Sequence, residues 1–268
     1  SPSHYIPEVD EEKARIGKEL VHNGWALRDG KKSKVISKYF VCTDCHNTVI
    51  EDDDLLNPTP EGRLRKSVKD GIPFLQGSTF YGIVNRTSWY NEDYEKKYGA
   101  LVTSAKDTVE NAIQLCAKVC SSGRYLEGWE LEAILHYYNT IDYKVSDLNV
   151  SEHEKATLAD KSEVEKADFL KSKFKPLSSA TFLEVQPIED RKYGLNGDIK
   201  KGKQIYINSC LHCHGYDRDV AKLKLDNSRV TLKHFRKNIK KDDMRSIYNI
   251  VRKGTTSDFA IREYMPHY

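Results

Sequence analysis

Two copies of the motif Cys-x-x-Cys-His, at residues 42–46 and 210–214, constrain this chain more than any other feature. Two thiols at this spacing can form thioethers with the two vinyl groups of one porphyrin, and the adjacent imidazole then lies under the iron as its proximal ligand. A repeat of the whole five-residue pattern is a stronger signal than one occurrence. The sequence therefore predicts two covalently bound haem c groups.

A structural zinc site and a redox dithiol are the alternative interpretations. A zinc ribbon places its cysteine pairs a short loop apart, whereas more than 150 residues separate these pairs, and neither alternative explains a His after both second cysteines. The predicted attachment thiols and iron ligands are Cys42, Cys45 and His46 for haem one, and Cys210, Cys213 and His214 for haem two.

Length and composition are consistent with a two-haem chain. The 268 residues allow one or two domains, and the 38% hydrophobic share is what we expect if a porphyrin supplies part of each apolar interior. No apolar run reaches the length of a membrane span, and the first residues lack an export signal. Because thioether attachment of haem takes place outside the cytoplasm, we expect a periplasmic protein whose signal peptide has been removed.

The distribution of charged residues indicates which classes of macromolecule could bind the protein. The formal net charge is +3, and Lys and Arg are interspersed with Asp and Glu, which gives no support for nucleic-acid binding. Basic runs at residues 31–34 and 237–241 are interpreted as solvated faces, with a docking patch for an acidic redox protein as the alternative. The expected electron partner is a periplasmic cytochrome or another redox protein.

A weak internal repeat precedes the two motifs. Residues 17–20 and 202–206 carry similar Gly-Lys segments on predicted helices, and the second helix runs directly into its haem motif, which resembles class I cytochromes c. Helical periodicity is clearest in residues 108–120 and 129–141. Strand-like alternation is scarce, so the predicted fold is mostly α, with two cytochrome c-like haem domains joined by a long crossover segment.

The domain boundaries follow from a change in composition. Residues 145–175 are highly charged and poor in aromatics, and two prolines follow, as in linkers and surface-lying connections. We predict an N-terminal domain at residues 8–150, a crossover at 151–193 and a C-terminal domain at 194–268.

The sixth iron ligand of haem two is predicted to be a methionine. The chain contains only two, and Met265 lies in a Tyr-Met-Pro sequence that resembles the Met-Pro ligand segment of class I cytochromes. Met244 is interpreted as a packing residue.

Haem one must use a different sixth ligand, because the predicted N-terminal domain has no methionine. It does contain a second cysteine pair, Cys116 and Cys120. The two thiols are either buried and inert, or one of them is a thiolate ligand to haem one; a disulfide is less favourable, because residues four apart on a helix have poor geometry for it. A thiolate would favour ferric iron and lower the potential.

The chain resembles the dihaem thiosulfate dehydrogenases, a family that shares its His/Cys-ligated haem with the haem subunit of the Sox system. The resemblance rests on the two haem motifs and on segments at residues 80–82, 106–110, 113–116, 123–124 and 130–138. The family's ligand cysteine stands seven residues before a glycine, as Cys116 stands before Gly123. The resemblance therefore implies Cys116 as the sixth ligand of haem one and Met265 as that of haem two.

The resemblance also implies an activity, the interconversion of thiosulfate and tetrathionate at haem one, with Cys116 as a nucleophile that carries a sulfane adduct. The substrate would be a small inorganic sulfur oxyanion. Arg86 and Arg124 are candidates to bind it, because guanidinium suits oxyanions, and Lys118 is a further basic candidate. Contacts with haem propionates or surface positions are the alternatives for both arginines. Cys120 is either a second thiol that resolves the adduct or itself the ligand.

A second function class stays open, a non-catalytic dihaem electron-transfer protein or a subunit of a larger redox complex. A dihaem peroxidase is a third class, in which the segment around Cys116 has no place.

Overall fold

The described chain is mostly helical, which confirms that part of the sequence prediction. The computed structural model describes residues 4–90, 94–96, 99–178, 183–191, 196–217, 221, 224–225, 228–238, 241, 246–255 and 265. Within these residues, the α-helices with defined bounds are α1 (Glu11–Asn23), α2 (Pro60–Asp70), α3 (Val109–Leu115), α4 (Gly128–Thr140), α5 (Glu152–Leu158), α6 (Glu163–Lys171), α7 (Ile199–Ile205), α8 (Leu211–His214), α9 (Arg229–Asn238) and α10 (Ile247–Lys253). Strands β1 (Leu27–Arg28) and β2 (Lys31–Lys32) form an antiparallel hairpin.

Both ends of α1 are capped. The Asp10 carboxylate accepts a hydrogen bond from the Lys13 amide at 3.0 Å and so satisfies an amide that has no partner within the helix. Gly24 ends the helix with a φ of +72°, and its N–H donates to the Leu20 carbonyl at 3.0 Å. Glycine adopts this left-handed conformation without a steric cost. The cap brings Gly24 to the wall of a cavity in the same part of the molecule.

Helices α1 and α4 cross at close range in the centre of the N-terminal region (residues 4–150). A Cβ atom at Gly17 would lie 1.9 Å from the carbonyl oxygen of Ala133, so a larger residue does not fit at this crossing. Both helices contribute to one apolar core, in which Leu20 and Ile134 are at most 1% exposed. Burial of these apolar side chains is the main source of stability for the pair.

The predicted crossover contains two capped helices. Ser151 and Glu154 form a capping box at the start of α5, and Ser162 and Glu165 form another at the start of α6. Lys173 then pairs with Glu154 at 2.6 Å.

After α6 the crossover packs onto the N-terminal region. Phe174 is buried, with its ring 5.0 Å from that of Tyr143, and the Thr87 amide donates to the Pro176 carbonyl at 2.8 Å. The domain boundaries stay a prediction.

The C-terminal region (residues 196–265) is packed differently. Helix α7, the π-helical turn Tyr206–Cys210 and helix α8 follow one another without a break. None of the apolar side chains described in this region is buried, and Ile199 and Val230 are 87% and 79% exposed. The described helices of this region therefore do not form an apolar core among themselves.

Candidate functional site

A cavity lined almost entirely by the N-terminal region has a volume of about 1280 Å³, including the part that is open to solvent, and its wall contains Cys42, Cys45 and His46 of the first motif. The same wall contains Cys116 and Cys120. Much of the remaining lining is aromatic and includes Phe40, Phe80, Trp89, Tyr90, Tyr94 and Tyr138.

The first motif forms a short 3-10 turn at the edge of this cavity. The amides of Cys45 and His46 donate to the Cys42 carbonyl at 3.2 and 3.1 Å, and the Asp44 carboxylate accepts a hydrogen bond from the Val41 amide at 2.8 Å. The turn presents both thiols and the imidazole to one space. Burial raises the pKa of Cys42 to about 12, so this thiol is protonated before any thioether forms.

His46 is held in the form that a metal ligand requires. Its Nδ1–H donates to the Ser78 carbonyl at 2.7 Å, which leaves the Nε2 lone pair available for a metal. The ring stacks on Phe80 with centroids 4.4 Å apart, and a Cβ at Gly77 would lie 2.4 Å from its Cε1. Burial lowers the pKa of His46 to about 4, so the imidazole is neutral at pH 7, as coordination needs.

Cys116 and Cys120 bound a single π-helical turn that continues α3. The Ser121 amide donates to the Cys116 carbonyl at 2.8 Å, and this five-residue spacing is characteristic of π-helix, which often occurs at functional sites. Neither cysteine is in a disulfide. A hydrogen bond with Cys120, and then burial, raise the pKa of Cys116 well above its usual value. The structure thus brings both candidate thiols to the cavity that contains His46, and the choice between them stays open.

Gln76 provides a test of whether the cavity suits a bound polar group. Its Nε2 and Oε1 are both buried, and neither has a hydrogen-bond partner among the residues that the structure describes, although Gln76 lines the cavity. A buried amide without a partner is costly, about 1–3 kcal/mol by mutational measurement. This mostly apolar lining fits a haem, whose propionate oxygens would supply such a partner.

Arg86 is the one Lys or Arg side chain in the described lining of the cavity. Its guanidinium donates to the Thr79 carbonyl at 2.5 Å and to the Ser78 hydroxyl at 3.4 Å. Burial lowers the pKa of Arg86, because the charged form is poorly solvated there. Arg86 also lines a neighbouring cavity of about 460 Å³.

Arg124 lies elsewhere. Its guanidinium pairs at 2.6 Å with Glu130, whose side chain is 1% exposed, and donates to the carbonyls of Lys34 and Val35. These bonds join the chain near β2 to the start of α4 and raise the pKa of Arg124, chiefly through Glu130. The structure does not bring Arg124 to the cavity lining. Lys118 is also outside the lining, with its ammonium 5.8 Å from the ring centroid of Tyr125.

The second motif spans the end of a π-helical turn and the whole of α8. Burial raises the pKa of Cys210. The carbonyls of Cys213 and His214 accept hydrogen bonds from the amides of Ala221 and Leu225 at 3.2 and 3.1 Å. The backbone around the motif is thus bonded to the segment that follows it.

Met265 is paired with Thr255. The Thr255 amide donates to the Met265 carbonyl at 2.8 Å, and the Met265 amide donates to the Thr255 hydroxyl at 2.6 Å. These bonds bring Met265 back to the end of α10. Met244, and the Tyr and Pro that flank Met265, lie outside the described residues. Ligation of haem two by Met265 stays a prediction.

Several residues of this site were missed by sequence reasoning. Gln76, Gly77 and Ser78 orient or face the groups of the first motif from more than thirty residues away in sequence. The pair Gly77 and Ser78 is typical of an ordinary turn, so nothing in the sequence distinguishes this loop from other loops of the chain. A single chain carries no local signal for such a contact.

Comparison with known proteins gives no relative. No protein family, curated protein or solved structure matches the chain. Across the part of the chain that the structure describes, no group of three or more His, Cys, Asp or Glu side chains is placed to hold a metal ion. Among the described helices, none has the length and apolarity needed to cross a membrane.

Proposed function

We propose that the protein is a periplasmic dihaem c-type cytochrome that interconverts thiosulfate and tetrathionate at its N-terminal haem. The observation that carries this proposal is the single cavity whose wall contains both the attachment motif and a second pair of cysteines. Cys42 and Cys45 would attach haem one, and His46 would bind its iron. Cys116 is the proposed sixth ligand, in line with the family resemblance.

The second haem is proposed for the C-terminal region because none of the apolar side chains described there is buried. Helices that carry apolar side chains gain stability when those side chains are removed from water, and a porphyrin is a large apolar body. In this proposal, haem two is attached by Cys210 and Cys213 and bound by His214 and Met265.

The two haems would have different potentials. A thiolate ligand stabilises ferric iron, whereas a methionine ligand raises the potential. Electrons would therefore move from haem one to haem two and on to a periplasmic cytochrome or another redox protein. Oxidation of two thiosulfates to one tetrathionate releases two electrons. When bound, each haem can accept one electron, so the two haems together can accept both.

Residues of the chain itself would bind the substrate and react with it. Arg86 is the cation of the described cavity lining, and its unused N–H donors can bind a sulfur oxyanion. The mostly apolar and aromatic lining would lower the local dielectric constant around a bound anion, which would strengthen the attraction between Arg86 and that anion. Cys116 would form a sulfur–sulfur bond with the outer sulfur of one thiosulfate, a step that releases two electrons, one to each haem. The outer sulfur of a second thiosulfate would then attack the sulfur bound to Cys116, which forms tetrathionate and releases the Cys116 thiolate.

Two experiments test the proposal in sequence. Haem staining and mass spectrometry of protein made with a cytochrome c maturation system should show two covalent haems, and electron paramagnetic resonance should show one thiolate-ligated ferric haem. Protein without covalent haem would refute the proposal.

Purified protein should then reduce ferricyanide in the presence of thiosulfate, or oxidise a reduced dye in the presence of tetrathionate. Failure in both directions, with both haems present, would refute the activity and leave a dihaem electron carrier.

A further inference from the structure

A short loop at residues 74–78, here called the strap, is bonded to the second haem motif at one end. The Phe74 amide donates to the Asn208 carbonyl at 3.0 Å, and the Ser209 hydroxyl donates to the Phe74 carbonyl at 2.8 Å. Ser209 is 1% exposed and directly precedes Cys210 in the sequence. The strap therefore holds the backbone that carries an attachment thiol of haem two.

The other end of the strap is bonded to the first haem motif. The Gly77 amide donates to the Cys45 carbonyl at 3.0 Å, and the Ser78 carbonyl accepts the hydrogen bond from His46. Phe74 and Gly77 are three residues apart, so their Cα atoms are at most about 11 Å apart. One short segment thus connects the backbones of the two motifs.

Arg63 stiffens the middle of the strap. Its guanidinium donates to the carbonyls of Leu75 and Gly77 at 2.7 and 3.1 Å, and it pairs with Glu51 at 3.1 Å with both side chains largely buried. Hydrogen bonds to a buried charged group are stronger than neutral ones. The spacing between the two motifs is therefore fixed from inside the N-terminal region.

One further contact joins the same two parts of the chain. Lys201 of α7 lies 3.5 Å from Glu61 of α2. The helix that leads into the second motif therefore lies beside the helix that follows the first motif.

We propose that the strap holds the backbones of the two haem motifs close together, at Cys45 and at Ser209, so that electrons pass between the two haems at their thioether edges, with Ser209 as the positioning residue. This inference rests on the proposed function, because it needs both haems. The step is a one-electron exchange in which one iron is oxidised and the other reduced, with no bond made or broken.

The first test uses the unaltered protein. Two ferric haems whose edges are adjacent relax each other magnetically, so the microwave saturation of the haem one signal should change when haem two alone is reduced. Two attached haems whose signals saturate independently would overturn the inference and leave the proposed function intact.

The second test is Ser209→Ala, with Ser228→Ala as the matched control, because the Ser228 hydroxyl bonds to Thr231 within its own region. After a one-electron pulse, Ser209→Ala should lose the fast equilibration between the haems while keeping the potential of each haem, and Ser228→Ala should keep both.

Unchanged fast equilibration in Ser209→Ala would overturn the role of the strap. If this variant does not attach haem two, the saturation measurement on the unaltered protein decides. A chain that never attaches a second haem would instead refute the proposed function.

Discussion

The Gly-Lys repeat shows how differently the two regions use a similar sequence. At Gly17, a Cβ would lie 1.9 Å from the Ala133 carbonyl oxygen, whereas at the corresponding Gly202 it would meet nothing within 4 Å. Leu20 is fully buried, but its counterpart Ile205 is only partly buried. The repeat forms a helix in both places. Burial depends on the partner element, which is α4 in the N-terminal region.

This difference separates a region with its own apolar core from one in which no described apolar side chain is buried. The N-terminal region buries a continuous apolar cluster beside its cavity. The described C-terminal helices bury no apolar side chain. We therefore expect haem one to enter a largely formed site and haem two to complete the fold around it.

The largest expected effect is the loss of structure in the C-terminal region when haem two cannot attach. Replacing Cys210 and Cys213 by alanine should make residues after 196 susceptible to limited proteolysis, because their helices lose the body that would cover their apolar faces. Replacing Cys42 and Cys45 should leave the packing of α1 on α4 protected. Mass spectrometry of the fragments gives the answer. Equal protection of both regions in both variants would show that the C-terminal region does not depend on haem for its fold more than the N-terminal region does.

The next effect concerns the sixth ligands that we propose for the two haems. We expect Cys116→Ser to abolish the thiolate-type signal of haem one and Cys120→Ser to retain it. As a control, Met265→Ala should alter haem two alone. The measurement is low-temperature electron paramagnetic resonance of the ferric protein.

The reverse pattern would make Cys120 the ligand, and retention of the signal in both serine variants would end the thiolate hypothesis.

A smaller effect tests the two glycines directly. Gly17→Ala should lower the free energy of unfolding by about 3 kcal/mol, because the added methyl group collides with the backbone of α4. Gly202→Ala should raise helix stability by up to about 1 kcal/mol, because alanine is the better helix former and the site is open. Denaturant titration monitored by circular dichroism measures both. Similar changes in the two variants would mean that the crossing of α1 and α4 is looser than described.

The smallest effect is at Gln76 and should reverse sign with haem. In the background where Cys42 and Cys45 are alanine, Gln76→Leu should stabilise the fold by about 1 kcal/mol, because it removes a buried amide that has no partner. With haem attached, the same change should destabilise by about 1 kcal/mol through loss of a hydrogen bond. The free energy of unfolding of the four proteins tests this. The same sign in both backgrounds would show that Gln76 does not contact the ligand.

Local signals explain how much could be predicted from the sequence. The mostly helical fold follows from periodicity, and each attachment motif is complete within five residues. The lack of methionine before residue 244 made Cys116 and Cys120 the candidate ligands for haem one, and both line the cavity.

The sequence by itself determined that two sets of thiols and imidazole have the spacing of a haem attachment motif, because that spacing is a property of adjacent residues. Only the tertiary structure decided which groups meet. It brought Arg86 to the cavity and bound Arg124 to Glu130, and it joined the two motifs through the strap. Such contacts depend on how α1, α4 and the loops between them pack, and no short stretch of sequence encodes that packing.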